Sequence, residues 1–135
     1  MRLSPKIRDG RALYSQSLRV LKKIKEFDSE IFTKSFLMMG VGETDDEVLQ
    51  TAHDLLWAGV DIMTIGQHLQ PTPKHMPVVK YVTPETFKCF KKNIEPMGFK
   101  YVAAGPLVRS CYKAGESFLE KMVGRNPHHH YQPNL

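Results

Sequence analysis

Three short apolar segments of the sequence each lead into a glycine, and polar residues follow each glycine. These glycines are Gly40, Gly66 and Gly105. Glycine lets a ligand approach the backbone closely, and a helix that begins after such a turn offers free N–H groups to an anion. The pattern therefore predicts a binding site built from three glycine-containing turns.

The turn Gly40-Val41-Gly42-Glu43 lies between a strand pattern and a helix pattern. A dinucleotide-binding fingerprint would need a third glycine at position 45, where this sequence has Asp45, so the match to that fingerprint is weak. A ligand-binding turn and a plain tight turn both remain open. Lys34 and Ser35 lie in the preceding strand, where a lysine could hold a carboxylate or simply lie at the surface.

Other reactive side chains give weaker signals. His68 and His75 lie in one loop without a carboxylate partner, which is a poor metal site, so we interpret them as loop surface or substrate contacts. Ser110 lacks the Gly-x-Ser-x-Gly surroundings of a nucleophile. Cys111 could be a reactive thiol, although nothing in the sequence shows its pKa. The sequence indicates no catalytic residue.

Helix and strand patterns alternate along the chain. Apolar spacing and capping signals predict helices over 11–27, from Thr44 to Gly59, from Thr83 to Pro96 and over 112–123, and strands over 30–39, 60–65 and 99–104. This order is typical of an α/β fold with a parallel sheet, either a barrel or an open sheet. In both, ligands bind at the carboxyl ends of the strands, where the three glycine turns lie.

The segment from Gln67 to Tyr81 is long for a connection and contains three prolines. Proline removes backbone donors, so we expect packing rather than regular structure to order this loop, and long ordered loops are usually functional. The tail from residue 124 is rich in histidine, asparagine and proline and is predicted to be disordered.

Composition narrows the class of protein. The chain has 135 residues, of which 41% are hydrophobic, and this suffices for one packed domain. No run approaches the roughly 20 apolar residues of a membrane-spanning helix, and the first residues contain no secretory signal pattern. The net charge is +5, but the basic residues are dispersed, which favours solvated helix faces over a nucleic-acid or membrane surface. Two cysteines make no disulfide scaffold and cannot alone hold a cubane iron–sulfur cluster.

Several stretches together resemble lipoyl synthase, in the order and with the spacing of that family. They are Arg8-Asp9-Gly10-Arg11-Ala12, Thr33-Lys34-Ser35 with Gly40 to Thr44, Gly66-Gln67-His68-Leu69-Gln70-Pro71-Thr72, Tyr81 to Glu85, and Ala104-Gly105-Pro106-Leu107-Val108-Arg109-Ser110 with the residues to Gly115. The resemblance extends from about residue 2 to about residue 122.

This resemblance implies a radical S-adenosylmethionine (SAM) enzyme on a partial (β/α)6 TIM-like barrel. The family inserts two sulfur atoms into an octanoyl chain carried on a lysine of a 2-oxoacid dehydrogenase lipoyl domain or of the glycine-cleavage H protein. One [4Fe-4S] cluster cleaves SAM and an auxiliary [4Fe-4S] cluster is the sulfur source. This chain resembles the C-terminal half of the enzyme: residues 1–123 would be barrel, with a cluster-capping segment at 105–116, and 124–135 the tail.

The resemblance also implies roles for single residues. Ser110 would ligate iron of the auxiliary cluster, and Cys111, where the family has a second serine, could compete for that iron. The remaining candidates are Gly40, Gly42 and Glu43 beside SAM, Arg8, Lys34 and Ser35 for its carboxylate or ribose, and Gln67, Gln70 and Thr72 along the substrate channel.

The family holds its clusters with two groups of three cysteines in its N-terminal half, and neither group is in this sequence. We therefore expect the isolated chain to be inactive and, because half a barrel leaves open strand edges, poorly soluble or dimeric. Two alternatives are a non-catalytic fragment that binds lipoyl carrier proteins and a phosphate-binding half-barrel. The family works in mitochondria or plastids in eukaryotes and in the cytoplasm in bacteria.

Overall fold

The computed structural model describes residues 2–7, 9 and 11–111. Arg8, the helix predicted over 112–123 and the tail from residue 124 lie outside these residues. The helices are α1 (Ser4–Ile7), α2 (Tyr14–Phe27), α3 (Asp45–Trp57) and α4 (Pro84–Ile94), which continues into a 3-10 turn (Glu95–Met97), and the strands are β1 (Lys34–Met39), β2 (Ile62–Gln67) and β3 (Tyr101–Gly105). No helix among the described residues is both long and apolar enough to cross a membrane.

The three strands form a parallel sheet in the order β1-β2-β3, with Lys34 opposite Ile62 and Ile62 opposite Tyr101. The predicted α/β alternation and parallel pairing are thus confirmed, whereas closure into a barrel stays a prediction. Each strand begins later than the pattern predicted, at Lys34, Ile62 and Tyr101, although the residues just before these positions still bond across the sheet. Thr33 and Lys100, for example, both hydrogen-bond to Asp61.

The hydrophobic core lies between the sheet and helices α3 and α4. Alternate strand residues point to opposite faces of a sheet. On the face that packs against the helices, the core includes Met63, Ile65 and Val102. The predicted inward residues of α4, Phe87, Phe90 and Ile94, are all buried, as are Val48, Ala52 and Leu55 of α3. The central strand β2 is buried along its whole length.

The predicted helix signals are present. Thr44 and Glu47 form a reciprocal capping box at the start of α3, and Arg2 donates to both Glu47 carboxylate oxygens. These contacts lower the pKa of Glu47, first through the Arg2 hydrogen bond. Gly59 ends α3 with a φ of +81°, and Thr83 caps α4 ahead of a first-turn proline.

Asp61 is the main electrostatic junction at the amino-terminal end of the sheet. Its carboxylate, only 7% exposed, lies 2.6 Å from Lys25 Nζ and 3.0 Å from Lys100 Nζ, and it accepts the Thr33 N–H. Burial raises the pKa of Asp61, but the hydrogen bonds from Lys25, Thr33 and Lys100 outweigh burial, and the net pKa is lowered. The sequence favoured solvated helix faces for the basic residues in general, and this prediction is wrong for Lys25 of α2, since its side chain is largely buried against this carboxylate.

Replacing Asp61 by alanine should lower the free energy of unfolding by about 3–5 kcal/mol, because it leaves the largely buried Lys25 ammonium without a counter-charge, with only the Ser29 and Ile31 carbonyls as acceptors. Urea denaturation followed by circular dichroism measures this loss. The matched control is Glu95→Ala, which breaks an exposed pair with Lys91 and should change stability by no more than about 1 kcal/mol. Equal losses in the two variants would contradict the assignment.

The same carboxylate predicts a pH dependence. A lowered folded-state pKa adds stability above the unfolded value of about 3.9, and that stability disappears as the pH falls through the folded value. The wild type should thus lose more stability on acidification below about pH 4 than Asp61→Asn does. Parallel acid titrations of both proteins in urea make the comparison.

Candidate functional site

The three predicted glycine turns meet at the carboxyl edge of the sheet. A Cβ on Gly66 would lie 2.0 Å from the Val108 carbonyl oxygen, so the segment after β3 crosses directly over the end of β2. The Arg109 guanidinium donates hydrogen bonds to the backbone carbonyls of Gln67 and Pro106, at 3.5 and 3.1 Å. The strand-end segments therefore form one continuous surface.

The turn after β1 is closed by its own acidic side chain. The Glu43 carboxylate accepts the N–H of Gly40 at 2.7 Å and that of Val41 at 2.9 Å. These two N–H groups are therefore not available to a ligand. Glu43 therefore shapes the turn from within, and its predicted place beside SAM stays a prediction.

Gly40 is a glycine because of a close approach by another part of the chain. Its φ is +91°, and a Cβ there would lie 2.3 Å from both the Gln67 amide nitrogen and the Lys80 carbonyl oxygen. Gly42 has a similar φ of +97°, but a Cβ there would meet nothing nearer than Val79 at 3.8 Å. Gly40 is thus required by packing, and Gly42 by backbone conformation alone.

The Gln67 side chain connects the end of β2 to both ends of the proline-containing loop. Its amide nitrogen donates to the His68 and Lys80 carbonyls at 3.0 and 3.1 Å, and its amide oxygen accepts the Val82 N–H at 2.8 Å. The side chain is 5% exposed, and both amide hydrogens have acceptors within the chain. Gln67 therefore positions the loop, and any contact with a substrate would be made by residues that it holds.

The loop has no regular structure, as its prolines predict, but side-chain hydrogen bonds rather than packing order its exposed part. His68 is buried and its Nε2 lies 2.8 Å from the Met76 carbonyl oxygen. Gln70 donates to the His75 carbonyl, and the Thr72 hydroxyl lies 2.8 Å from the His75 ring. Gln70 and Thr72 are exposed, so their predicted role along a substrate channel is compatible with their position.

The segment after β3 presents Ser110 and Cys111. Both are exposed, and they directly follow Arg109, whose guanidinium is fixed by three backbone carbonyls. No group of three His, Cys, Asp or Glu side chains that could hold a metal ion occurs within the described part of the chain. The Ser110 hydroxyl is therefore an exposed oxygen at the edge of the site, with no second metal-binding side chain grouped around it among the described residues.

The other predicted cofactor residues lie apart from these turns. Lys34 and Ser35 begin β1, so about 20 Å of strand separates Lys34 from Gly40. Lys34 lies on the sheet face opposite the helices, and Ser35 borders a groove beside α2. Arg8 lies outside the described residues. The structure thus unites the predicted residues of three turns and leaves Lys34 and Ser35 at the far end.

Two positioning residues were missed in the sequence. Arg109 was noted only as the neighbour of Ser110, and Glu43 only as a cofactor contact, yet both bind backbone groups of the strand-end turns. Glu43 three residues after Gly40 is a spacing that permits such a closed turn. No comparable local signal marks the contact of Arg109 with Gln67, because these two residues are 42 positions apart.

Replacing Gln67 by leucine should loosen the loop between β2 and α4. It leaves the Val82 N–H and two carbonyls without their partners, at roughly 1–3 kcal/mol for each buried group. Hydrogen exchange of the Val82 amide should accelerate, while exchange in α3 changes less. Gln70→Leu removes one exposed hydrogen bond and is the control, and equal acceleration in both variants would refute the assignment.

A pair of alanine substitutions separates packing from backbone strain. Gly42→Ala should cost about 1–2 kcal/mol, because only the left-handed conformation opposes it. Gly40→Ala carries the same strain and also forces Lys80 and Gln67 aside, at about 1–3 kcal/mol more. Thermal or urea unfolding measures the difference in stability between the two variants. If Gly42→Ala is the more destabilising change, the close contact of Gly40 with Gln67 and Lys80 is not what requires glycine there.

No known protein-family profile matches the chain. Individual curated proteins do match it. The apicoplast lipoyl synthase of Toxoplasma gondii is 55% identical over 122 residues, which cover 90% of this chain and 22% of that protein. The mitochondrial lipoyl synthase of Candida albicans strain SC5314 is 52% identical over 126 residues, covering 93% of this chain and 33% of that protein.

The chloroplastic lipoyl synthase of Chlamydomonas reinhardtii is 55% identical over 123 residues, covering 90% of this chain and 28% of that protein. The chain thus spans about a fifth to a third of the length of the curated relatives it matches. The resemblance in the strand-end motifs is confirmed, and over nine tenths of its length this chain is related to the C-terminal portion of lipoyl synthases.

Proposed function

We propose that this chain forms the C-terminal portion of a lipoyl synthase that works in a eukaryotic organelle. The single observation that carries the proposal is sequence identity of 52–55% over about 90% of the chain to proteins of that name. These relatives are named for the mitochondrion, the apicoplast and the chloroplast, which supports an organellar location.

The reaction implied for this family replaces two C–H bonds of a protein-bound octanoyl chain with two C–S bonds. In the family, one [4Fe-4S] cluster supplies SAM cleavage and the other supplies the sulfur. The carrier would be an octanoylated lipoyl domain or the glycine-cleavage H protein. We propose that the exposed residues of the carboxyl edge, Gln70, Thr72 and Ser110, border the path of that octanoyl chain.

The donor set of this chain does not fit a complete iron–sulfur cluster. Such clusters normally take several thiolates, and this sequence has two cysteines, Cys89 on α4 and Cys111 after β3. This chain therefore contributes at most one iron ligand, at the carboxyl edge of the sheet. Ser110 is the candidate for this edge ligand. SAM cleavage is assigned to no residue of this chain.

Other residues of this chain position Ser110. Arg109 fixes the backbone before Ser110 by binding the carbonyls of Gln67, Pro106 and Val108. Gln67 in turn fixes the loop that carries Gln70 and Thr72. Buried hydrogen bonds of this kind hold exposed functional groups in a defined geometry.

A chimaera tests the proposal. Residues 1–123 of this chain replace the matching segment of the Candida albicans enzyme, and the product is incubated anaerobically with iron, sulfide, reductant, SAM and octanoylated H protein. We expect lipoyl-lysine by mass spectrometry together with 5′-deoxyadenosine. The 135-residue chain by itself should give neither product, because it lacks the cysteines for a cluster.

Single substitutions in the chimaera assign the edge ligand. Ser110→Ala should keep SAM cleavage and lower lipoyl formation by about tenfold to a hundredfold. Cys111→Ser is the matched control and should keep both activities. If Cys111→Ser abolishes lipoyl formation and Ser110→Ala does not, the cysteine is the ligand. A folded chimaera that binds octanoylated H protein without forming lipoyl-lysine would favour the non-catalytic binding fragment.

A further inference from the structure

A surface groove of about 420 Å³ lies where the C-terminal end of α3 meets α2. Trp57, the last residue of α3, forms one wall of this groove and is 69% exposed. The other wall is a single side of α2, because residues three and four positions apart lie on the same side of a helix. It consists of Ser15, Leu18, Arg19, Lys22, Lys23 and Glu26. We call this feature the Trp57 groove.

The basic side chains of the Trp57 groove are not neutralised by acids of this chain. Arg19, Lys22 and Lys23 form no ion pair with a carboxylate in the part of the chain that the structure describes. Glu26 is the one acidic side chain that lines the groove among those residues. The groove therefore has a positive potential that an acidic molecule would neutralise.

Lys22 contacts the tryptophan rather than the nearby acid. Its ammonium lies over the Trp57 ring, 4.0 Å from the ring centroid. Lys22 and Glu26 have the same spacing and order on α2 as Lys91 and Glu95 on α4, where the two side chains do form an ion pair. An ammonium held on the face of an exposed ring can still bind an anion on its other side. Trp57 therefore positions a cation inside the groove.

The two helices that form the groove are fixed relative to each other. The Tyr14 hydroxyl at the start of α2 donates to Asp54 of α3 at 2.8 Å, and Lys25 near the end of α2 binds Asp61. Asp61 is at the amino-terminal end of the sheet, whereas the candidate site is at the carboxyl edge. A molecule bound in the Trp57 groove would therefore leave the candidate site open.

The side chains of the groove fit an acidic protein segment. Arginine binds a carboxylate through two parallel hydrogen bonds, and lysine binds it as a point charge. Tryptophan and arginine are enriched among the residues that contribute most to protein interfaces, and an indole ring packs well against apolar side chains. Glu26 would repel the phosphates of a lipid surface or a nucleic acid, but it can accept a donor from a protein segment of mixed composition.

We propose that the Trp57 groove is the docking site for a partner protein that presents an acidic segment with an apolar side chain. Carboxylates of that segment pair with Arg19 and Lys23, and its apolar side chain packs on the Trp57 ring beside Lys22. This interaction goes beyond the proposed function, because it uses no residue of the carboxyl edge and requires no sulfur insertion.

A synthetic peptide tests the chemistry of the groove on the 135-residue chain. The probe is a repeat of Glu-Glu-Leu, and the control peptides are repeats of Gln-Gln-Leu, which lacks the charge, and of Glu-Glu-Ser, which lacks the apolar side chain. Trp57 is the only tryptophan in the sequence, so a change in tryptophan fluorescence reports binding at this groove. We expect the probe to change this fluorescence and to bind about tenfold more tightly than either control, with an affinity that falls as salt is added.

A matched pair of double variants tests the charges. Arg19→Gln with Lys23→Gln removes two charges, four residues apart, from the groove and should weaken binding of the probe by about tenfold. Lys88→Gln with Lys92→Gln removes two exposed charges with the same spacing from α4 and should leave binding unchanged.

A second matched pair tests the aromatic ring. Trp57→Ala should weaken binding by about tenfold, measured by the fluorescence anisotropy of a fluorescein-labelled probe. Phe27→Ala removes another exposed ring, from a part of α2 outside the groove, and should leave binding unchanged. Circular dichroism of each variant establishes that it is folded.

Three results would overturn the proposal. One is a Trp57 fluorescence that the Glu-Glu-Leu probe leaves unchanged. Another is equal weakening of binding by the groove variants and by their controls, since binding would then follow the net charge of the chain alone. The third is tighter binding to phosphatidylglycerol vesicles than to the probe, with a blue shift of Trp57 emission, since a lipid surface would then be the occupant of the groove.

Discussion

The arrangement of the carboxyl edge depends on one buried amide, that of Gln67. It bonds to a residue just before α4 and to two residues of the long loop, and its amide nitrogen fills the space that a side chain on Gly40 would need. A buried amide whose groups are all satisfied stabilises one geometry, because every displacement leaves a polar group unpaired. The end of β1, the loop and the start of α4 are therefore set by one side chain.

The two ends of the sheet have different roles, one in stabilising the fold and the other in forming the candidate site. At the amino-terminal end, Asp61 joins α2, β1 and β3 through two lysines and the Thr33 backbone. At the carboxyl end, Arg109 and Glu43 bind backbone groups of the turns and leave Ser110 exposed. This division is the usual one in parallel α/β proteins, where one end of the strands stabilises the fold and the other supplies the site.

The strand-end glycines have more than one physical explanation. From the sequence, each glycine is compatible with a ligand that approaches the backbone. In the structure, Gly40 accommodates Gln67 and Lys80, and Gly66 accommodates the Val108 carbonyl. A glycine leaves space for whatever lies nearest, and here that neighbour is the chain itself. The surface on which a ligand would lie is therefore built by the segments that cover these glycines.

The sequence by itself determined the alternation of helices and strands, the caps at Thr44 and Thr83, the left-handed Gly59 and the inward face of α4. Its strand-end motifs also revealed the similarity to lipoyl synthases. These features depend on neighbours within about four residues or on ordered motifs, so local patterns reveal them.

Only the tertiary structure decided which residues far apart in the sequence form ion pairs and hydrogen bonds with each other. It showed that Lys25 packs against Asp61 and that Arg109 binds the Gln67 carbonyl. The partners in these pairs are separated by tens of residues, and no periodicity in the sequence records which of many charged or polar groups will meet. The parallel pairing of the strands brings them together, because it places segments from distant parts of the chain at the same edge.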